Sequence, residues 1–207
     1  MKYQILKQNW LVVLLGVVVG MVIFLWGQNN QSGDTPNAAE IGFAQDMSVH
    51  HQQAIEMSFL VREKTDNQEI RSFAFDIINT QANQRGMMLG WLDLWQQPMT
   101  TTGRPMMWMQ VAMDTMEHSQ MSESFTPGAY MTGMATKAEM DRLVNVDALE
   151  AEKLFLELMI RHHQGGVMMA EGVIDRSDNE VVTRLAETMV NGQQAEIDYM
   201  NELLTNY

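Results

Sequence analysis

The sequence predicts an all-α fold, a four-helix bundle made from a duplicated helix pair and preceded by one N-terminal transmembrane helix. Three observations carry this expectation: an unbroken apolar run near the N-terminus, self-similarity at an offset of 112 residues, and apolar spacing of helical period through both copies. No run of alternating, β-branched strand residues competes with them.

From Trp10 to Gly27 the chain is uncharged and almost wholly apolar. Eighteen residues make a helix of roughly 27 Å, just enough to cross a bilayer. Trp10 and Trp26 bracket the run as interfacial anchors, and Lys2 and Lys7 precede it. The positive-inside rule then predicts a cytoplasmic N-terminus over 1–9, a transmembrane signal anchor over 10–27, and everything after it outside. A cleaved secretory signal would need a shorter apolar region and a small-x-small site, which Phe24 to Asn30 lack. Residues 28–35 read as a polar linker, leaving 36–207 for the helical bundle. The expected location is the bacterial cytoplasmic membrane, single-pass, with the C-terminal domain periplasmic or extracellular.

Composition narrows the function of that domain. All 26 acidic residues and 11 of the 13 basic ones follow residue 30, a formal charge of −15 for that part of the 207-residue chain. Such a body repels phosphate backbones and attracts cations, so metal ions are expected partners and nucleic acid is not. Protein partners are not legible. There is no Cys, and Met is the most unusual component at 21 residues. A protein handling a soft metal in an oxidising compartment without thiolates has thioether and imidazole ligands to use.

Ala39 through Leu92 align with Ala151 through Leu204 without a gap, and 16 of the 54 pairs are identical. Among them are Phe43/Phe155, Met47/Met159, His50/His162, His51/His163, Met57/Met169 and Gln81/Gln193. The repeats span 36–92 and 147–204, joined by a Met-rich connection over 93–146. Thr35-Pro36 is expected to open the first helix, and Asp147 with Glu150 to form a capping box on its counterpart. Thr65-x-x-Gln68 and Ser177-x-x-Glu180 are expected to be capping boxes for the second helix of each pair, and Thr136-x-x-Glu139 for a short helix ending near Val144. Four antiparallel helices of roughly 28 residues, with a long connection across the middle, resemble the ferritin-like topology. The connection reads as a cover over the bundle.

On a helical wheel with about 100° per residue and Met47 at zero, His51 falls near +40°, Ala54 near −20°, His50 near −60° and Met57 near −80°. Both adjacent His residues therefore straddle the face expected to be buried, and Met159, His162, His163, Gly166 and Met169 repeat the pattern. One such His is ordinarily a hydrogen-bonded core residue. Four imidazoles facing one interior repel when protonated and strand polar groups when neutral, unless partners or a metal satisfy them. Di-iron bundles use Glu-x-x-His, whereas here the motif is Met-x-x-His, at Met47/His50 and Met159/His162. Thioether with imidazole selects Cu(I), while imidazole alone also accepts Cu(II) or zinc. The candidate metal ligands are thus His50, His51, His162, His163, Met47, Met57, Met159 and Met169. His118, Met131 and Met134 join them from the connection, and Met87, Met88 and Met189 are expected to be core filler. Gln81 and Gln193, on otherwise apolar stripes, are placed to hydrogen-bond either the non-ligating nitrogens of facing imidazoles or each other and water. Gly165-Gly166, costly mid-helix, imply a close approach or room for a ligand.

Asp46-Met-Ser-Val-His50-His51-Gln-Gln-Ala-Ile-Glu-Met57, the second His-His motif from Phe155 to Ala170, and Met131-Thr-Gly-Met134 resemble the family of the domain of unknown function numbered 305. The resemblance covers roughly residues 37 to 204. It implies a ferritin-like bundle, exported in bacteria, with some members similar to periplasmic copper-binding proteins that protect against copper. Two positions depart from the family pattern: Arg161 replaces the usual Pro before the second His pair, and Met168 stands where the first copy has Glu56.

No nucleophile-base pairing or oxyanion arrangement is legible, so the expected function is a copper-binding buffer or carrier without catalysis. The alternatives are a ferritin-like metal-dependent oxidoreductase using Glu40, Glu56, Glu152 and Glu157 beside the His residues, and a membrane-anchored interaction subunit.

Overall fold

Asn37 accepts the backbone N–H groups of Ala39 and Glu40, and Glu40 reaches back to the Asn37 N–H, a capping box that starts α1, Ala38–Lys64. In this computed structural model, which describes residues 20–21, 35–109 and 126–207, the other helices are α2, Gln68–Leu94; α3, Lys137–Asn145; α4, Ala148–Ile174; and α5, Glu180–Leu204. A single 3₁₀ turn covers Met107–Met109. The described residues hold helices and no strand, in agreement with the all-α expectation. Among them no helix is long and apolar enough to cross a membrane. The anchor expected over 10–27 lies, apart from the helical pair Gly20 and Met21, outside the described residues.

The caps correct the sequence reading in three places. Asn37, not Thr35-Pro36, opens α1. Asn67 and Asn179 cap α2 and α5, so Thr65 and Ser177 form no capping boxes. Asp147 caps α4 as expected, but Glu150 leaves the cap to pair with Arg142 at 2.6 Å. The Thr136 capping box on α3 forms as expected.

The Thr65 and Ser177 hydroxyls instead join the two repeats. Each accepts the N–H of the capping Asn two residues on, at 2.9 Å for Thr65 and 3.1 Å for Ser177. Thr65 Oγ1 then donates to Glu152 Oε1 at the start of α4, and Ser177 Oγ to Glu40 Oε1 at the start of α1, at 2.7 Å. The end of each His-bearing helix is thereby tied to the beginning of the other, which makes α1 and α4 antiparallel. Tyr207 Oη completes one latch by donating to Glu152 Oε2 at 2.6 Å.

Two apolar clusters lie along this pair. One contains Met57, Val61, Ile70, Phe73, Phe155 and Met159; the other contains Phe43, Met47, Met88, Leu92, Met169 and Met189. The His pairs fall between them on both helices, since His50 and His51 follow Met47 and precede Met57, and His162 and His163 follow Met159 and precede Met169.

The described parts of the connection, residues 93–109 and 126–146, contact the bundle; residues 110–125 lie outside the described residues. Buried Asp46 Oδ2 accepts the Met106 N–H at 2.7 Å and the Trp108 indole N–H at 2.9 Å. Burial nonetheless pushes the Asp46 carboxyl above its ordinary value, against those two hydrogen bonds. Gln53 clasps the backbone of Ala135 from both sides, donating to its carbonyl at 2.9 Å and accepting its N–H at 2.7 Å. Gly133, at φ +80°, lies against the backbone of α4 at Gly165; a Cβ on Gly165 would stand 2.4 Å from the Thr132 carbonyl oxygen. The two glycines at 165 and 166 thus admit a connecting segment and the Gln193 carboxamide respectively.

Candidate metal centre

Near the middle of α1 and α4 all four imidazoles are fully buried. His50 and His162 stack, with ring centroids 3.7 Å apart and planes tilted by 33°. Burial, and then the neighbouring His residues, hold both rings well below the ordinary histidine range, and burial lowers His51 to about 4. These three rings are neutral at physiological pH, and each keeps one nitrogen lone pair.

Hydrogen bonds decide which nitrogen that is. His51 Nε2 donates to Gln84 Oε1 at 2.7 Å, His163 Nε2 donates to Glu196 Oε2 at 2.6 Å, and His162 Nε2 donates to the His50 carbonyl at 3.0 Å. In the neutral rings of His51 and His162 the proton is then on Nε2 and the lone pair on Nδ1. The Nδ1 atoms of His51, His162 and His163 and both nitrogens of His50 are buried without a well-formed hydrogen bond among the described residues, although the Thr132 carbonyl faces the His50 ring. An unpartnered buried acceptor costs about 1–3 kcal/mol, so a group of them at the centre of a bundle is unfavourable unless something binds there.

The partners of these rings are Gln84 and Glu196, not Gln81 and Gln193 as the sequence suggested. Gln81 is buried with neither amide atom paired, and the Gln193 oxygen is likewise unpaired. Gln84 and Glu196 are themselves related by the 112-residue offset. That pair is not identical, and its signal in the sequence is its place one turn after the identical pair Gln81 and Gln193.

Thioethers flank the imidazole layer. Met47, Met131, Met134 and Met169 share one buried cluster with Met88, Met106, Met109 and Met189, while Met57 and Met159 lie with Met200 in the other. Met88 and Met189 are buried filler as expected, but Met87 is about half exposed and fills no core. His118 lies outside the described residues.

None of the four carboxylates expected beside the imidazoles joins them. Glu40 and Glu152 are held in the two interhelical latches, and Glu56 and Glu157 are exposed. Among the described residues no three His, Asp or Glu side chains gather as a metal cluster. What the centre offers a metal is therefore neutral imidazole with thioether nearby, a soft donor set suited to Cu(I).

Comparison with known proteins places this arrangement in context. The profile of the domain of unknown function DUF305 matches residues 40–204. A DUF305 protein of Streptomyces coelicolor is 48% identical, with a TM-score of 0.71, covering 81% of this chain and 93% of that one. A DUF305 fragment from Deinococcus radiodurans is 30% identical, with a TM-score of 0.65, covering 83% and 98% respectively. CopM in its Cu(I)-bound form shares the fold, at 23% identity and a TM-score of 0.59 over 81% of this chain and 96% of that one. Comparison with functionally curated proteins returns no match.

Proposed function

The chain belongs to the DUF305 family, and from that premise we propose that it is an extracytoplasmic copper-binding protein, a buffer or carrier that holds Cu(I) through imidazole and thioether ligands inside a ferritin-like bundle. The observation that carries this reading is the set of buried imidazole nitrogens without partners, two of them, on His51 and His162, Nδ1 atoms whose tautomer is set by an acceptor on the far side of the ring. That is the arrangement a ligating histidine needs, because the outer acceptor both aims the lone pair and raises its basicity.

His50, His51, His162 and His163 are the proposed imidazole ligands, with Met47, Met57, Met159 and Met169 as thioether donors and Met131 and Met134 as further ones. Bound copper would supply Lewis acidity and one-electron chemistry; the chain's residues bind it and exclude water. CopM, which shares the fold, is known in Cu(I)-bound and Cu(II)-bound forms, and the same metal suits the donor set here. Export and tethering by the apolar run 10–27 belong to the same proposal, since an acidic, Cys-free, Met-rich domain suits an oxidising compartment. The carboxylate positions disfavour a di-iron oxidoreductase, because Glu40 and Glu152 are held in the latches, Glu56 and Glu157 are exposed, and Glu196 is engaged by the His163 ring N–H.

Competition titration of the full-length protein with Cu(I), Cu(II) and zinc, beside a variant with all four His residues replaced by Gln, tests the proposal. Cu(I) binding abolished in the variant supports it; equal binding by both proteins, or none by the wild type, contradicts it.

A further inference from the structure

The two His pairs are related by sequence repeat, yet their surroundings differ in charge. On the repeat-one side, His51 donates to the neutral carboxamide of Gln84, at 2.7 Å. The next residue, Arg85, donates from Nε to the Ser48 carbonyl at 3.2 Å, so a guanidinium lies on α1 one turn before His51. On the repeat-two side, His163 donates to the carboxylate of Glu196 at 2.6 Å, and the position equivalent to Arg85 is the buried Ile197. One half of the centre therefore has a cation and a neutral acceptor behind its imidazole, and the other has an anion and an apolar residue.

We infer that Glu196 is a positioning residue that makes the His163 half of the centre the seat of a divalent ion, Cu(II) or zinc, and leaves the His51 half suited to monovalent copper. The inference rests on the proposed copper function and adds oxidation-state preference to it. A carboxylate behind an imidazole makes the ring a stronger donor and places a negative charge close to the metal. That charge favours a 2+ ion over a 1+ ion, because the Coulomb attraction scales with the ion's charge; the His163 ring is fully buried while Glu196 is one-quarter exposed, so solvent screens the attraction only in part. Gln84 aims its ring in the same way without adding charge, and the Arg85 cation opposes a second positive charge nearby.

Glu196→Gln and Gln84→Glu separate charge from geometry, since Gln and Glu are nearly the same size and both present an oxygen to Nε2. Cu(I), Cu(II) and zinc affinities are measured on the full-length wild type and both variants by chelator competition, with nitrogen NMR of the metal-free proteins reporting the His163 tautomer. Glu196→Gln should keep the Nε2–H tautomer and weaken Cu(II) and zinc about tenfold or more, with Cu(I) nearly unchanged. Gln84→Glu, which leaves Glu196 in place and serves even if the first variant does not fold, should strengthen Cu(II) and zinc. Equal weakening of all three ions, or no change in either variant, would overturn the inference while leaving the copper function standing. A wild type that binds no copper would overturn the function itself.

Discussion

His50 and His162, 112 residues apart in the chain, stack at 3.7 Å between ring centroids, and the His162 ring donates to the His50 backbone carbonyl. The contact puts the two repeats in register at the centre of the bundle. It also leaves both His50 nitrogens buried without a well-formed hydrogen bond, the Thr132 carbonyl only facing the ring, so the metal-free protein carries a cost at this point.

Replacing His50 by Leu should remove that cost. The metal-free variant is expected to be as stable as the wild type or more stable, by about 1–2 kcal/mol, because a buried unsatisfied group gives way to an apolar one of similar volume. Copper should then raise its unfolding midpoint much less than it raises that of the wild type. Chemical denaturation with and without Cu(I) measures both effects. A large loss of stability in the metal-free variant would show that His50 is a structural core residue instead.

Acid should weaken the metal-free fold in a defined window. His51 is neutral in the folded protein down to about 4, chiefly because it is buried, whereas the unfolded chain protonates it near 6.5. The contribution is complete above 6.5, is lost as pH falls from 6.5 towards 4, and changes no further below that. His51 alone accounts for about 3 kcal/mol across the window, and His50 and His162 act in the same direction. Urea midpoints from pH 7.5 to 4 should fall more steeply for the wild type than for His51→Gln; parallel curves would contradict the assignment.

Gly165→Ala tests the approach of the connection to α4. Helix propensity favours Ala by about 1 kcal/mol, but the new Cβ would stand 2.4 Å from the Thr132 carbonyl and 2.9 Å from the Gly133 Cα, both backbone atoms. The expected net result is destabilisation by about 1–3 kcal/mol. Weaker Cu(I) binding should accompany it, because Met131 and Met134 flank the displaced residues. Thermal unfolding and Cu(I) competition measure the two effects together.

The latches should be separable. Ser177→Ala removes the hydroxyl bonded to Glu40, and Thr65→Val the one bonded to Glu152. Each is expected to cost about 1–3 kcal/mol by leaving a buried carboxylate underpartnered. The two should add in the double variant, since they lie at opposite ends of helices about 40 Å long. Copper affinity should be unchanged, a contrast with Gly165→Ala that distinguishes holding the frame from shaping the centre.

Much of this was legible in the sequence because duplication writes each structural requirement twice. The wheel positions of Met47, His50, His51 and Met57 predicted burial, and all four are fully buried. Thr65 and Ser177 match the capping-box pattern, but Asn two residues later is an equally strong N-cap. The identical pair Asn67/Asn179 starts α2 and α5 instead, leaving the hydroxyls free to bond across the repeats. The stripe positions Gln81 and Gln193 point to the imidazoles, yet Gln84 and Glu196 are the residues that bond them. Period alone identifies a stripe, whereas the partner of a ring nitrogen depends on a one-turn offset between packed helices.

X-ray absorption at the copper edge of the Cu(I)-loaded full-length protein tests the central claim most directly. A mixed shell of imidazole nitrogen and thioether sulfur, absent from the variant lacking His50, His51, His162 and His163, is the predicted result. A shell of sulfur alone that survives in the variant would contradict it, moving copper from the His layer of the bundle to methionines elsewhere in the chain.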